Sequence, residues 1–195
     1  MTYVSSAAQL DQAQAALEDG NIDQAMAYYQ DIIAAGGPQK ASALFGLASC
    51  YARRKEWGEA ENALDEVILY APDFATGYAY RGAVYLELAR PDEAMRDLEY
   101  AVKLAPKEAI IHVKRAEVFM RLGLIPAAHD AVRRAAKLPA PDVAVRDYIR
   151  AFLLGVEKEL KRSIPRENPP INWGWLHRPR WLRRASSVAP SSLSR

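Results

Sequence analysis

The chain reads as an all-α solenoid of about four helix–turn–helix repeats, followed by a C-terminal capping helix and an irregular, basic tail containing tryptophan. Three observations predict this. An alanine flanked by acidic or polar residues recurs at Ala25, Ala60, Ala94 and Ala128, with spacings of 35, 34 and 34. Each is followed four residues later by an aromatic or aliphatic side chain (Tyr29, Leu64, Leu98, Val132) and three later again by a small or aliphatic one (Ile32, Val67, Ala101, Ala135). After the last repeat, Val145, Ile149, Phe152, Val156 and Leu160 advance by 4, 3, 4 and 4, one face of an amphipathic helix. A helix pair cannot bury its apolar face alone, so pairs with this self-similarity stack. An ordinary helical bundle would need the same spacing by coincidence in four places.

The first helix is expected over residues 5–19, with Gly20-Asn21 as the turn and a second helix over 23–35. Gly36-Gly37-Pro38 ends it, a glycine C-cap followed by proline. Unit two has helices over 40–55 and 57–70, with Trp57 a packing residue at the turn. In unit three the turn is Ala89-Arg90-Pro91-Asp92, and Pro91 opens the second helix, where a missing N–H costs nothing. Pro126 holds the matching place in unit four. Pro72 and Pro106 close their units at one offset, and Pro38 comes one residue late. The repeats are therefore expected near 6–40, 41–74, 75–108 and 109–142. The segment VAVRDYIRAFLLGVEKELKRSI is too short for another unit and reads as a cap over 143–163, covering unit four with a polar outer face. Residues 1–163 thus form one body. Residues 164–195 form a Pro-, Trp- and Arg-rich tail in which Pro165, Pro169, Pro170 and Pro179 rule out one long helix, with a disordered Ser/Ala/Pro end.

The first halves of the units align as well. Leu44, Leu47, Ala48 and Tyr51 match Tyr78, Arg81, Gly82 and Tyr85, then His112, Arg115, Ala116 and Phe119. This resembles the tetratricopeptide repeat, with its Trp-x2-Leu-Gly-x2-Tyr, Ala, Phe, Pro pattern in 34 residues. Units two and three match well. Unit four has Ala140 in place of the proline, and unit one holds Gln12, Ala13 and Ala16 at the Leu, Gly and Tyr places. The small residues let the paired helices approach closely, and Tyr51, Tyr85 and Phe119 fill the space beside them.

Of the 195 residues half are apolar, enough for a continuous core. No run approaches the ~20 apolar residues of a membrane span. MTYVSSAAQLDQAQ has neither the charged nor the apolar region of a secretory signal. The one cysteine, Cys50, makes no internal disulfide and reads as a small buried residue. A cytoplasmic protein, peripheral to a larger or membrane-bound complex, fits these features. The net charge of +2 conceals an asymmetry: residues 1–159 balance to −5 and residues 160–195 to +7. An acidic body with a basic tail is a signal about partners rather than fold.

No catalytic constellation is expected. There is no Gly-rich phosphate loop or nucleophile elbow, and His112, His129 and His177 stand in no metal-ligand spacing. No cofactor, metal or small-molecule substrate is therefore expected. His112, at the tryptophan place of unit four, reads as a packed histidine. The resemblance implies that the first helix of each unit lines a concave groove. Carried over, the groove positions are Leu10, Gln14, Leu17 and Glu18 in unit one, Phe45, Ser49, Ala52 and Arg53 in unit two, Ala79, Ala83, Leu86 and Glu87 in unit three, and Val113, Glu117, Met120 and Arg121 in unit four. Some members of the family clamp acidic chaperone C-termini with Lys, Arg and Asn. Leu10, Gln14, Gly46, Thr76 and Tyr80 stand at those places here and supply no clamp. An apolar groove suits an amphipathic helix or an extended peptide. The implied function is that of an adaptor, scaffold or assembly factor for a protein partner.

The tail is the second candidate site. Trp173, Trp175 and Trp181 are interleaved with Arg178, Arg180, Arg183 and Arg184. Four destinations are open to it. In order of preference they are the protein's own body or groove, a partner protein, an anionic membrane surface, and nucleic acid. The last two make the alternative function a peripheral tether.

Overall fold

The computed structural model describes residues 6–140 and 142–163. Within them α1 (Ser6–Glu18) pairs with α2 (Ile22–Ala35), α3 (Lys40–Arg54) with α4 (Trp57–Tyr70), α5 (Ala75–Glu87) with α6 (Pro91–Leu104), and α7 (Ala109–Arg121) with α8 (Ile125–Ala136); α9 (Val143–Ser163) follows. The described residues contain no strand. Helix ends fall within one or two residues of those expected, and Pro126 sits one residue inside α8 rather than at its start.

Four equivalent turns set the register. Gly20, Lys55, Ala89 and Gly123 each adopt positive φ (82°, 62°, 57° and 72°) between the two helices of a pair. Each is followed by a residue whose N–H reaches back five positions: Asn21 to Ala16 O, Glu56 to Tyr51 O, Arg90 to Tyr85 O, Leu124 to Phe119 O, all at 2.8–3.0 Å. This is the Schellman closure, which satisfies carbonyls left over at a helix end. Repeating it every 34 or 35 residues gives every pair the same turn.

The recurrent small residues lie where the helices meet. Ala25, Ala60, Ala94 and Ala128 are wholly buried, as are Ile32, Val67, Ala101 and Ala135. A Cβ placed on Gly82 would stand 3.0 Å from the Ala94 carbonyl oxygen and 3.2 Å from Leu98 Cγ, so α5 and α6 touch backbone to backbone there. A Cβ on Gly46 would fall inside the ring of Tyr29, so the aromatic that follows Ala25 needs a glycine in the next repeat. Pairs also pack sequentially, α2 on α3, α4 on α5 and α6 on α7, with α1 against α3 and α5 against α7. The buried clusters therefore follow one another along the stack.

The last helix closes that stack. Ile149 and Val156 are buried in one cluster with Phe119, Ala128 and Val132, and Val145 and Phe152 pack against it. The outer side of α9 is not uniformly polar, however. Val143 is 62% exposed and Leu154 67%.

The third pair departs from an apolar core. Arg81, at the place that holds Leu47 in the preceding unit, donates Nε to Asp97 Oδ2 at 2.7 Å, Nη2 to Asp97 Oδ1 at 3.0 Å, and Nη1 to Asp65 Oδ1 at 2.6 Å. One guanidinium thus joins α4, α5 and α6. Burial opposes its charge, but the hydrogen bonds to Asp97 and Asp65 outweigh that and raise its pKa. At the same place in unit four Arg115 finds no such acid, since Ala131 stands where Asp97 does. Its Nε is buried without a hydrogen bond, and its guanidinium lies 5.0 Å from the Phe119 ring centre.

Candidate functional site

The first helices of the four pairs, α1, α3, α5 and α7, line a groove made of three adjoining depressions. The first, about 390 Å³, is walled chiefly by Leu10, Leu17, Phe45, Ser49, Arg53 and Phe74. The second, about 350 Å³, shares Ser49 and Arg53 with it and adds Ala52, Tyr80 and Val84. The third, about 220 Å³, shares Ala52, Tyr80 and Val84 and adds Trp57, Ala83, Leu86, Glu87, Lys114, Glu117 and Arg121. A further cavity of about 470 Å³ lies outside the groove at the α1–α2 turn, bordered by Asp23 and Arg54, which form an ion pair, and has no aromatic lining.

Aromatic rings form the groove's firm part. Phe45 meets Phe74 edge-on at 5.4 Å and Tyr80 at 4.8 Å. Each contact contributes about 0.5–1.5 kcal/mol beyond burial and holds the rings in place before any ligand arrives. The charges are already engaged. Arg53 Nη1 donates to the Leu17 carbonyl at 2.6 Å, and Ser49 Oγ donates to Phe45 O at 3.0 Å. Arg121 is paired with Glu87. Lys114 Nζ donates to Glu117 Oε2 at 2.9 Å and lies 4.6 Å from the Tyr80 ring centre. The Tyr148 hydroxyl, from α9, donates to Glu117 Oε1 at 2.7 Å. Burial and then the Glu117 carboxylate raise the pKa of that phenol, which keeps it a donor. Such a surface offers mainly apolar and aromatic area, with Arg53 bonded to the neutral Leu17 carbonyl and Glu18 to the neutral Gln14 amide at one end.

Thirteen of the sixteen groove positions carried over from the resemblance lie in these depressions: Leu10, Gln14, Leu17, Glu18, Phe45, Ser49, Ala52, Arg53, Ala83, Leu86, Glu87, Glu117 and Arg121. Leu17 keeps only 8% of its surface. Ala79 and Val113 do not line the groove, which corrects the expectation at those two positions. Val113 is wholly buried, and Met120 packs against the same cluster as Ile149 and Phe152. Neighbouring helices use the surface that Ala79 and Val113 were expected to offer, while Met120 stays half-buried.

Trp57, Phe74, Lys114 and Tyr148 also belong to the groove or its rim, with little sign of it in the repeat pattern. Trp57 packs at its turn as expected and lines the third depression as well. The available signal is the pair of aromatics Phe74 and Tyr80 around the start of α5. The tail residues Trp173, Trp175, Arg178, Arg180, Trp181, Arg183 and Arg184 lie outside the described residues.

Two groups with chemical potential are removed from the groove. Cys50 is buried, and burial pushes its thiol up to about 11. His112 is wholly buried, with Nε2 2.9 Å from the Pro106 carbonyl oxygen. Burial lowers its pKa, which favours the neutral ring. Among the described residues no three His, Cys, Asp or Glu side chains are grouped to hold a metal ion, and no helix is long and apolar enough to cross a membrane.

The stacked pairs, the recurrent positive-φ turn and the small residues at the helix crossings find their counterpart in a family comparison. The sequence model described as Tetratricopeptide repeat matches residues 10–78 and 81–143. The chain belongs to the tetratricopeptide repeat family. Solved structures agree in fold. A thermophilic tetratricopeptide repeat protein of Thermus thermophilus is 20% identical, with 81% of this chain and 84% of that one covered and a TM-score of 0.68. MamA from Desulfovibrio magneticus RS-1 (residues 41 to the end) is 17% identical, with 82% and 97% covered and a TM-score of 0.54. A chain of the APC/C hetero-tetramer Cut9–Hcn1 is 17% identical with a TM-score of 0.68, and this protein spans 31% of its length and 80% of its own. No curated protein matches the chain. At these identities the tetratricopeptide repeat neighbours establish the architecture and leave the ligand open.

Proposed function

We propose that this tetratricopeptide repeat protein is a non-catalytic adaptor or assembly factor that holds an extended or helical segment of a partner protein in the groove of α1, α3, α5 and α7. The observation that supports this most is the continuity of the three depressions along successive first helices, floored by Phe45, Phe74 and Tyr80. Apolar anchors spaced along a segment match such a row of depressions, and the ion pairs already formed along the groove favour a ligand with few charges. In this reading residues 1–163 are the binding body and the Trp- and Arg-bearing stretch of 164–195 is the anchor to a larger assembly, in the cytoplasm. The neighbouring Cut9–Hcn1 structure, a hetero-tetramer, is a precedent for such a fold inside an assembly.

The test fills the groove without disturbing the core. Ser49 and Ala83 are half-buried and line the depressions. Peptides selected from a displayed library on the wild-type protein should carry spaced apolar or aromatic anchors. They should lose at least tenfold in affinity for the Ser49→Arg, Ala83→Arg double variant, about 1.4 kcal/mol, while its melting temperature stays within a few degrees. Equal binding to both proteins would remove the groove from the proposal.

A further inference from the structure

The two ends of the stack carry opposite charge. Residues 6–39, the whole first pair, hold five carboxylates (Asp11, Glu18, Asp19, Asp23, Asp31) and no lysine or arginine. Residues 133–163, the end of α8 and all of α9, hold eight cationic side chains against four acids. Both sets are at the surface. Asp11 and Ala15, exposed on the side of α1 turned away from the buried Ala13 and Ala16, are followed at the same four-residue interval by the exposed Asp19 in the turn just after the helix. On α9, Arg150, Leu154 and Lys158 are exposed opposite the buried Ile149 and Val156. Between α8 and α9 lies a cavity of about 300 Å³ with an apolar floor that includes Leu138, Pro139 and Ile149, and Arg146 and Arg150 form its rim.

These observations point to one occupant. An apolar floor rimmed by arginines accepts a surface that brings acids and short side chains together, and α1 with the turn that follows it presents Asp11, Ala15 and Asp19. The partners available to the cations within the chain leave room for this. Arg150 lies 3.6 Å from Asp147 across one helical turn, and Glu157 faces His129 at 3.8 Å. At the other end, Asp23 is engaged with Arg54 and Glu18 accepts from Gln14, which leaves Asp11, Asp19 and Asp31 as the outward acids. We propose that the acidic face of α1 in one molecule docks on the α8–α9 end of a second copy, head to tail. The two surfaces differ, so the contact is heterologous: each molecule keeps one donor end and one acceptor end free, and assembly continues into a ring or an open row of solenoids. The grooves of successive copies then lie in series.

Charge attraction at exposed surfaces decays with salt, since the Debye length falls from about 10 Å at 0.1 M to about 3 Å at 1 M. Sedimentation velocity of the full chain should show dimers and larger species at low salt and monomers at high salt. Asp11→Lys with Asp19→Lys, and separately Arg150→Glu with Lys158→Glu, should each give monomers at low salt with an unchanged melting temperature. Mixing the two monomeric variants should restore association, because one retains a sound acidic face and the other a sound basic end. A wild-type chain that stays monomeric at low salt overturns the proposal. So do assemblies indifferent to both variants, and so does a mixture that fails to associate. If assembly is lost when Arg178, Arg180, Arg183 and Arg184 are changed to Ser but kept in the Arg150→Glu, Lys158→Glu variant, the tail is the docking element and the α8–α9 surface is excluded.

Discussion

Lys55 and Ala89 occupy the left-handed turn position that Gly20 and Gly123 hold in the outer repeats. A Cβ at positive φ costs roughly 1–2 kcal/mol, and glycine relieves it at some cost in chain entropy. Ala89→Gly should therefore stabilise the protein by about 0.5–1 kcal/mol, seen as a higher urea midpoint with an unchanged slope. Gly123→Ala, the reverse change at the equivalent turn, should lower the midpoint. The comparison isolates the turn, because a Cβ at Gly123 would meet no atom within 4 Å. Gly46 is a glycine for a different reason: the Tyr29 ring takes the space a side chain would need. The sequence marks both kinds of position alike, and only the packing distinguishes them.

Among the elements, α4, α5 and α6 are joined by a single guanidinium. Arg81 takes a bidentate hold on Asp97 and a third bond to Asp65. Asp97→Ala would leave a half-buried guanidinium with one partner instead of two and remove the bidentate pair. The expected cost is about 1–3 kcal/mol, below that of a fully buried pair because Asp65 remains and water reaches the site. The loss should be much smaller in an Arg81→Leu background, where apolar contact replaces the ion pair as Leu47 does in the preceding unit. A double-mutant cycle from chemical denaturation measures it. The repeat alignment placed Arg81 at a leucine position, and its two carboxylate partners lie 16 residues away on either side. Their convergence comes from the hairpin angle and the stacking of the pairs.

For the stack as a whole, stability is passed from neighbour to neighbour, so its last apolar face needs cover. Ile149 and Val156 provide it, and each contributes about 1.5–3 kcal/mol by burial. A chain ending at Asp142 should melt below one ending at Ser163 and bind a hydrophobic dye through the uncovered α7–α8 surface. Its loss of stability should be at least about 3 kcal/mol. Equal melting curves would show that α9 is not a cap. The same helix also shapes the ligand surface, since Tyr148 holds Glu117 at the groove's end. Cap and groove are therefore linked, and truncation should weaken groove ligands as well as the fold.

The number of repeats, their register, the helix limits and the core alanines were legible in the sequence because they follow from local period and from contacts 34 or 35 residues apart, which a repeat restates several times. Ala25, Ala60, Ala94 and Ala128 report one geometric need four times over. The surface was less legible. Val113 and Glu117 hold equivalent-looking places on one helix, yet one is sealed in the core and the other lines the groove. The difference lies in what the following helices lay over each of them. Trp57, Phe74 and Tyr148 reach the groove region from a helix start, a connecting segment and the cap, none of which the repeat pattern marks as part of the groove. A repeating sequence specifies the contacts that recur. Exposure at any one residue depends on neighbours that do not recur, and it is set only when the pairs have stacked.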